Sequence, residues 1–224
     1  MKFSITPLSW LFRFGVVGLA VLGMAGCPMS SGIQGSGKEA TENRTVGTFS
    51  RISVEGSATL DTEIGANTTV VVTIDDNLLP LIQTKVEGDT LHIYSKESYN
   101  TSRGLKVKIT TPTLDGVAVS GACNIHAVGL DSKNFELNIS GAGDAHLTGK
   151  AEALAIQLSG AGSVEASQLV AKNVQVVISG AASAEVYASQ SLDATVSGTG
   201  SVQYKGNPPT VRKNVSGVGS IGPK

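Results

Sequence analysis

Four side chains with metal-ligating or acid–base chemistry recur at matching places along this chain: His126, His146, Glu165 and Glu185. Each stands six residues after a serine that opens a Ser-Gly-x-(small) unit, and Gln203 takes the same place in the next unit. Two imidazoles and two carboxylates in a row are suitable ligands for a divalent cation. A row on a flat strand surface, however, offers ligands from one side only, whereas such ions take four or more around them. The column is therefore expected to be empty, with no metal and no other cofactor bound.

Other candidate chemistry is thin. The six serines, Ser120, Ser140, Ser159, Ser179, Ser197 and Ser216, have no neighbouring base in the sequence to activate a nucleophile. Hydroxyls at a bend more often bond a nearby backbone group, which makes a structural ladder of them. Gly217-x-Gly219-x-x-Gly222 has the spacing of a dinucleotide fingerprint, but Lys224 follows almost at once where that motif requires a helix. Cys123 occupies a corner position otherwise held by small residues and reads as a buried, inert thiol. No catalytic residue is assigned, and the chain is expected not to be an enzyme.

The elements behind these residues come from internal repetition. The six serines are separated by 20, 19, 20, 18 and 19 residues, a near-constant period that marks a repeat architecture. Before each serine, Val119, Ile139, Leu158, Ile178, Val196 and Val215 alternate mostly with polar residues, Ala118 and Val177 excepted; so do Ile125, Ala145, Val164, Ala184, Val202 and Ile221 after it. Period-2 alternation on both sides gives two short strands joined by a tight corner. Glycine and alanine at the corner suit sharp backbone angles and close stacking of one corner on the next. A strand-only repeat of 18–20 residues is too short for a βαβ unit or a propeller blade. The expected fold is all-β: a single-domain parallel β-solenoid (β-helix), right-handed, with about 18–20 residues per coil.

Toward the N-terminus the pattern is looser. Phe49 to Leu60 looks like a degenerate repeat turning at Gly56-Ser57, and Thr68 to Ile74 is a β-branched strand candidate. Asp75-Asp76-Asn77 precedes Leu78–Ile82, which suggests one helical turn with an Asp or Asn cap. Gly88-Asp89 between Ile82–Glu87 and Leu91–Tyr94 is a hairpin signal. Tyr99 to Gly104 reads as a polar loop, and Leu105 to Thr110 as a strand.

Residues 1–26 carry Lys2 and Arg13, then an apolar run from Phe14 to Ala25 that ends at Gly26-Cys27. This is the form of a secretory signal, and the run is too short for an ordinary membrane span. It resembles a bacterial lipoprotein signal, which implies that Cys27 is acylated and becomes the mature N-terminus. Ser-, Gly- and charge-rich residues 27–46 read as a flexible tether, and 47–224 as the head domain. Removing residues 1–26 takes away two of the 17 basic residues and none of the 18 acidic ones, which leaves a net charge of −3. With no basic stripe, nucleic acid is not an expected partner.

The combination Phe49-x-x-Ile52-x-Val54, Asp75-Asp76-Asn77-Leu78-Leu79, Gly88-Asp89-x-Leu91-x-Ile93 and serial Ser-Gly-Ala-Gly corners resembles the GIN-type head domain of autotransporter adhesins, over roughly residues 47–222. The resemblance implies a β-solenoid head and an extracytoplasmic place in the cell envelope, and it carries no catalytic residues. The expected function is therefore a lipid-anchored envelope protein with a non-enzymatic head, structural or adhesin-like, which meets a membrane through its lipid and a surface protein or glycan through its head. The alternative is a polysaccharide-binding or polysaccharide-active β-helix protein. Sugar sites favour exposed aromatic faces; of the few aromatics, Tyr99 and Tyr187 look free to stack.

Overall fold

The computed structural model describes residues 32–224. The signal segment 1–26 and Cys27 lie outside the described residues. The chain folds as β1 (Ile33–Gln34), β2 (Glu39–Arg44), β3 (Arg51–Ile64), β4 (Thr69–Asp75), a 3-10 turn (Leu79–Leu81), β5 (Ile82–Glu87), β6 (Thr90–Ser95), β7 (Tyr99–Asn100) and β8 (Leu105–Thr111). The repeats follow as β9 (Gly116–Leu158), β10 (Ala161–Ile178), β11 (Ala181–Val196), β12 (Thr199–Lys205), β13 (Thr210–Val215) and β14 (Val218–Pro223).

The repeats pair as their spacing requires. Ala161 lies beside Ala142 on one side and Ala181 on the other, Ala181 beside Thr199, and Thr199 beside Val218, all in parallel. The degenerate first copy joins the same stack, with Gly56 beside Gly121 in a parallel β3–β9 ladder. The inward columns are buried throughout: Val117, Leu137, Ile156, Val176 and Ala194 form one, and Ile125, Ala145, Val164, Ala184 and Val202 another. Alternation within each repeat and stacking between repeats together produce this continuous core.

The purely parallel β-solenoid expected from the repeats does not hold for the whole chain. The main sheet is mixed: β2 pairs antiparallel with β4, β4 with β8, and β5 with β6. The reason lies in the connections. Only four residues link β3 to β4 and two link β5 to β6, too few for a parallel crossover, so the chain must double back. Gly88, with φ +62°, supplies the left-handed residue that the two-residue β5–β6 hairpin needs.

The stretch read as a flexible tether also carries structure. Glu39–Arg44 is a strand on β4, and Ile33–Gln34 pairs with Tyr99–Asn100. Asp76 and Asn77 hold this segment down rather than capping a helix. The Ser36 hydroxyl donates to Asp76 Oδ1 (2.5 Å), the Ser36 amide donates to Asn77 Oδ1 (2.9 Å), and Asn77 Nδ2 donates to the Gln34 carbonyl (2.8 Å). The Ser36 hydroxyl bond is the main reason the Asp76 carboxyl sits below its usual range. The 3-10 turn is N-capped by Leu78 without any side-chain hydrogen bond.

Candidate functional site

The column of His126, His146, Glu165 and Glu185 points outward, and register brings Asp61 beside His126 at its N-terminal end. The two imidazole rings lie 6.4 Å apart between centroids and are tilted by 51°. His146 Nδ1 is 3.3 Å from Glu165 Oε2, and Lys224 pairs with Glu185. In the shallow depression around them, Asp144 accepts hydrogen bonds from the backbone and hydroxyl of Ser163. Much of this column is thus engaged with itself. Among the described residues, no three His, Cys, Asp or Glu side chains converge as metal ligands.

The serine ladder departs from expectation. The backbone amides of Ser159, Ser179, Ser197 and Ser216 bond the preceding repeat, but their hydroxyls are exposed and make no hydrogen bond among the described residues. Water serves them better than a backbone group already paired in the ladder. Cys123 is buried, and burial pushes its thiol up to about 11, far from the thiolate range in which cysteines react. In the Cys27→Ser background, a colorimetric thiol reagent should therefore label less than a tenth of Cys123 in the native protein within an hour, and all of it in denaturant. Rapid native labelling would show that the corner opens.

What the repeats do build is a column of corner glycines. A Cβ at Gly121 would overlap the carbonyl oxygen of Gly56, one at Gly141 that of Gly121, and one at Gly160 that of Gly141; the series continues through Gly180, Gly198 and Gly217. Close approach is the common requirement. A left-handed φ adds to it at Gly121 (+141°) and Gly141 (+149°).

The column is open at its N-terminal end. A Cβ built on Gly56 meets nothing within 4 Å. On that side β3 pairs with β6 through Arg51–Val54 and with β8 from Ala58 onward, and Glu55, Gly56 and Ser57 have no strand beside them. Where a preceding corner would stand, the chain between β6 and β8 loops away, tied to β1 through Tyr99–Asn100. The result is a groove of about 610 Å³, floored by Glu55–Ser57 and walled by Tyr94–Thr101, Gly104 and Leu105.

The chemistry of this groove differs from that of the rest of the surface. Two of the chain's four tyrosines, Tyr94 and Tyr99, line it. Among the described residues, the side chains of Glu55, Ser57, Lys96, Ser98 and Asn100 make no hydrogen bond or ion pair, though all are exposed. Two lining side chains are committed: the Ser95 hydroxyl donates to the Glu97 carbonyl, and at the margin Thr101 donates its hydroxyl to the buried Asp75. Tyr99 rests against the core, and this burial raises its phenol above the ordinary range, so the hydroxyl stays protonated. Sequence reasoning singled out Tyr99, though as a free residue of a polar loop rather than a half-buried one on β7, and missed Tyr94, which alternation places on the outward side of β6. It also missed Glu55 and Ser57, which meet the tyrosines only in the folded chain.

A family model described as "Putative auto-transporter adhesin, head GIN domain" matches residues 48–208. Among solved structures, a putative adhesin of Bacteroides fragilis is 28% identical with a TM-score of 0.73, covering 86% of this chain and 100% of its own. A putative adhesin of Parabacteroides merdae, 21% identical with a TM-score of 0.56, covers 86% of this chain and 98% of its own, and at that identity the likeness concerns the fold alone. No curated protein matches the chain. With the family model spanning most of its length, the chain belongs to the head GIN domain family of auto-transporter adhesins.

Proposed function

We propose that this chain is a bacterial envelope protein whose head binds a partner at the cell surface without turning it over, and that acylated Cys27 holds it to a membrane. The observation that carries the reading is the groove beside Gly56, in which exposed polar side chains stand unengaged around two tyrosines. Unsatisfied hydrogen-bonding groups beside aromatic faces are the make-up of a binding site. The family description, an adhesin head, supports a surface location. Gly26-Cys27 at the end of an apolar run supports the anchor.

Metabolic labelling with a palmitate analogue should mark the wild-type chain and leave Cys27→Ser unlabelled. The soluble Cys27→Ser protein should be retained by intact bacterial envelopes and release no reducing ends from their polysaccharides. Equal labelling of both forms removes the anchor, and steady release of reducing ends removes the non-enzymatic reading.

A further inference from the structure

We infer that the groove beside Gly56 is a binding site for a neutral oligosaccharide. The inference rests on the surface-binding reading above and adds to it a site and a ligand class.

Four observations single out this groove and this ligand. Its volume of about 610 Å³ falls within the roughly 300–1,000 Å³ of small-molecule sites. Among the described residues, five of its exposed polar side chains, Glu55, Ser57, Lys96, Ser98 and Asn100, are unengaged, whereas in two of the smaller depressions the polar side chains are largely tied to one another: Asp144 to Ser163, His146 to Glu165, Lys150 to Asp131 and Lys172 to Glu152. Its charged residues are Glu55, Lys96 and Glu97, a net single negative charge that disfavours phosphates and uronates. Its one aliphatic side chain is Leu105, which is buried and leaves no apolar well for an acyl chain or a peptide anchor.

A pyranose answers both kinds of group. Its C–H face is apolar and flat enough to lie on a tyrosine ring, the amphipathic surface that Tyr94 and Tyr99 supply. Its equatorial hydroxyls both donate and accept, and must be met when they leave water. Glu55 accepts, Asn100 does both, and Ser57 and Ser98 do both. The backbone edge of Glu55–Ser57, without a neighbouring strand, adds further partners. Gly56 lets a sugar approach that backbone closely, since no side chain stands over it.

The test is calorimetric titration of the full chain in detergent with neutral tri- to hexasaccharides of glucose, xylose and mannose. Oligogalacturonate and a Ser-Gly-Ala-Gly peptide serve as competitors of other chemistry. At least one neutral oligosaccharide should bind with Kd of roughly 10 μM to 1 mM, or about −7 to −4 kcal/mol. Tyr94→Ala should weaken it at least tenfold. So should Ser98→Trp, which fills the groove from an exposed loop and keeps the test valid if the β6 variant unfolds. His146→Ala, on the distant column, should bind as wild type does. The proposal is overturned if no neutral oligosaccharide binds, if both groove variants bind unchanged, or if oligogalacturonate or the peptide binds more tightly. Envelope retention separates the two readings. Retention that survives both groove variants overturns the glycan groove and leaves surface binding standing; oligosaccharide binding by a chain that envelopes do not retain does the reverse.

Discussion

Gly160→Ala should lower stability by about 3–4 kcal/mol, a large loss for a single methyl group. The cause is not conformational, because the clash is with backbone: the added Cβ would overlap the Gly141 carbonyl oxygen. That carbonyl belongs to a strand paired on both sides and cannot move without parting two repeats. At about 2–4 °C per kcal/mol for a domain of this size, the melting temperature should fall by roughly 10 °C. Gly47→Ala is the control. Nothing lies within 4 Å of a Cβ there, so it should change stability by less than about 0.5 kcal/mol. A Gly160→Ala protein that melts with the wild type would mean that the corners do not touch.

Phe135→Ala should cost about 3–5 kcal/mol, the usual range for emptying a phenylalanine site in a packed core. Among the described residues, Phe135 is the largest of the fully buried side chains. Five residues before its corner serine, it holds the position taken by Leu154, Val174 and Leu192 in later repeats, which lie side by side across the ladders. The first full repeat thus fills its end of that column with an aromatic ring, and its removal leaves a cavity that rigid neighbouring strands cannot close. Phe135→Leu keeps most of the volume and should cost less than about 1.5 kcal/mol. Urea titrations of the two variants check this. Equal midpoints for both would mean that the space collapses freely around the ring.

Both predictions concern the repeats, where the sequence was most legible. Inward columns such as Val119, Ile139, Leu158, Ile178 and Val196 are buried as alternation requires, because in a strand the face a side chain takes is a local property with a period of two. Equal spacing then stacks like on like, and the corner glycines follow from the closeness of that stacking. The Gly88-Asp89 hairpin was legible for a similar reason, since turn chemistry is written in two residues.

The N-terminal third was decided by tertiary structure. Glu39-Ala-Thr-Glu-Asn-Arg44 has no apolar alternation to announce a strand; it is one because the backbone of β4 lies beside it, and because Asp76 and Asn77, some 40 residues on, clasp Ser36. Strand direction was equally hidden outside that hairpin, for the antiparallel pairs of β2 with β4 and of β4 with β8 follow from connection lengths and partners rather than from any single strand's pattern. The groove is the plainest case. It exists because no corner stands before Gly56, the first of the seven in the column, and it brings Glu55–Ser57 within reach of Tyr94 and Tyr99, about 40 residues away in the chain. An absence between two segments has no residue of its own to mark it, so only the folded chain could show it.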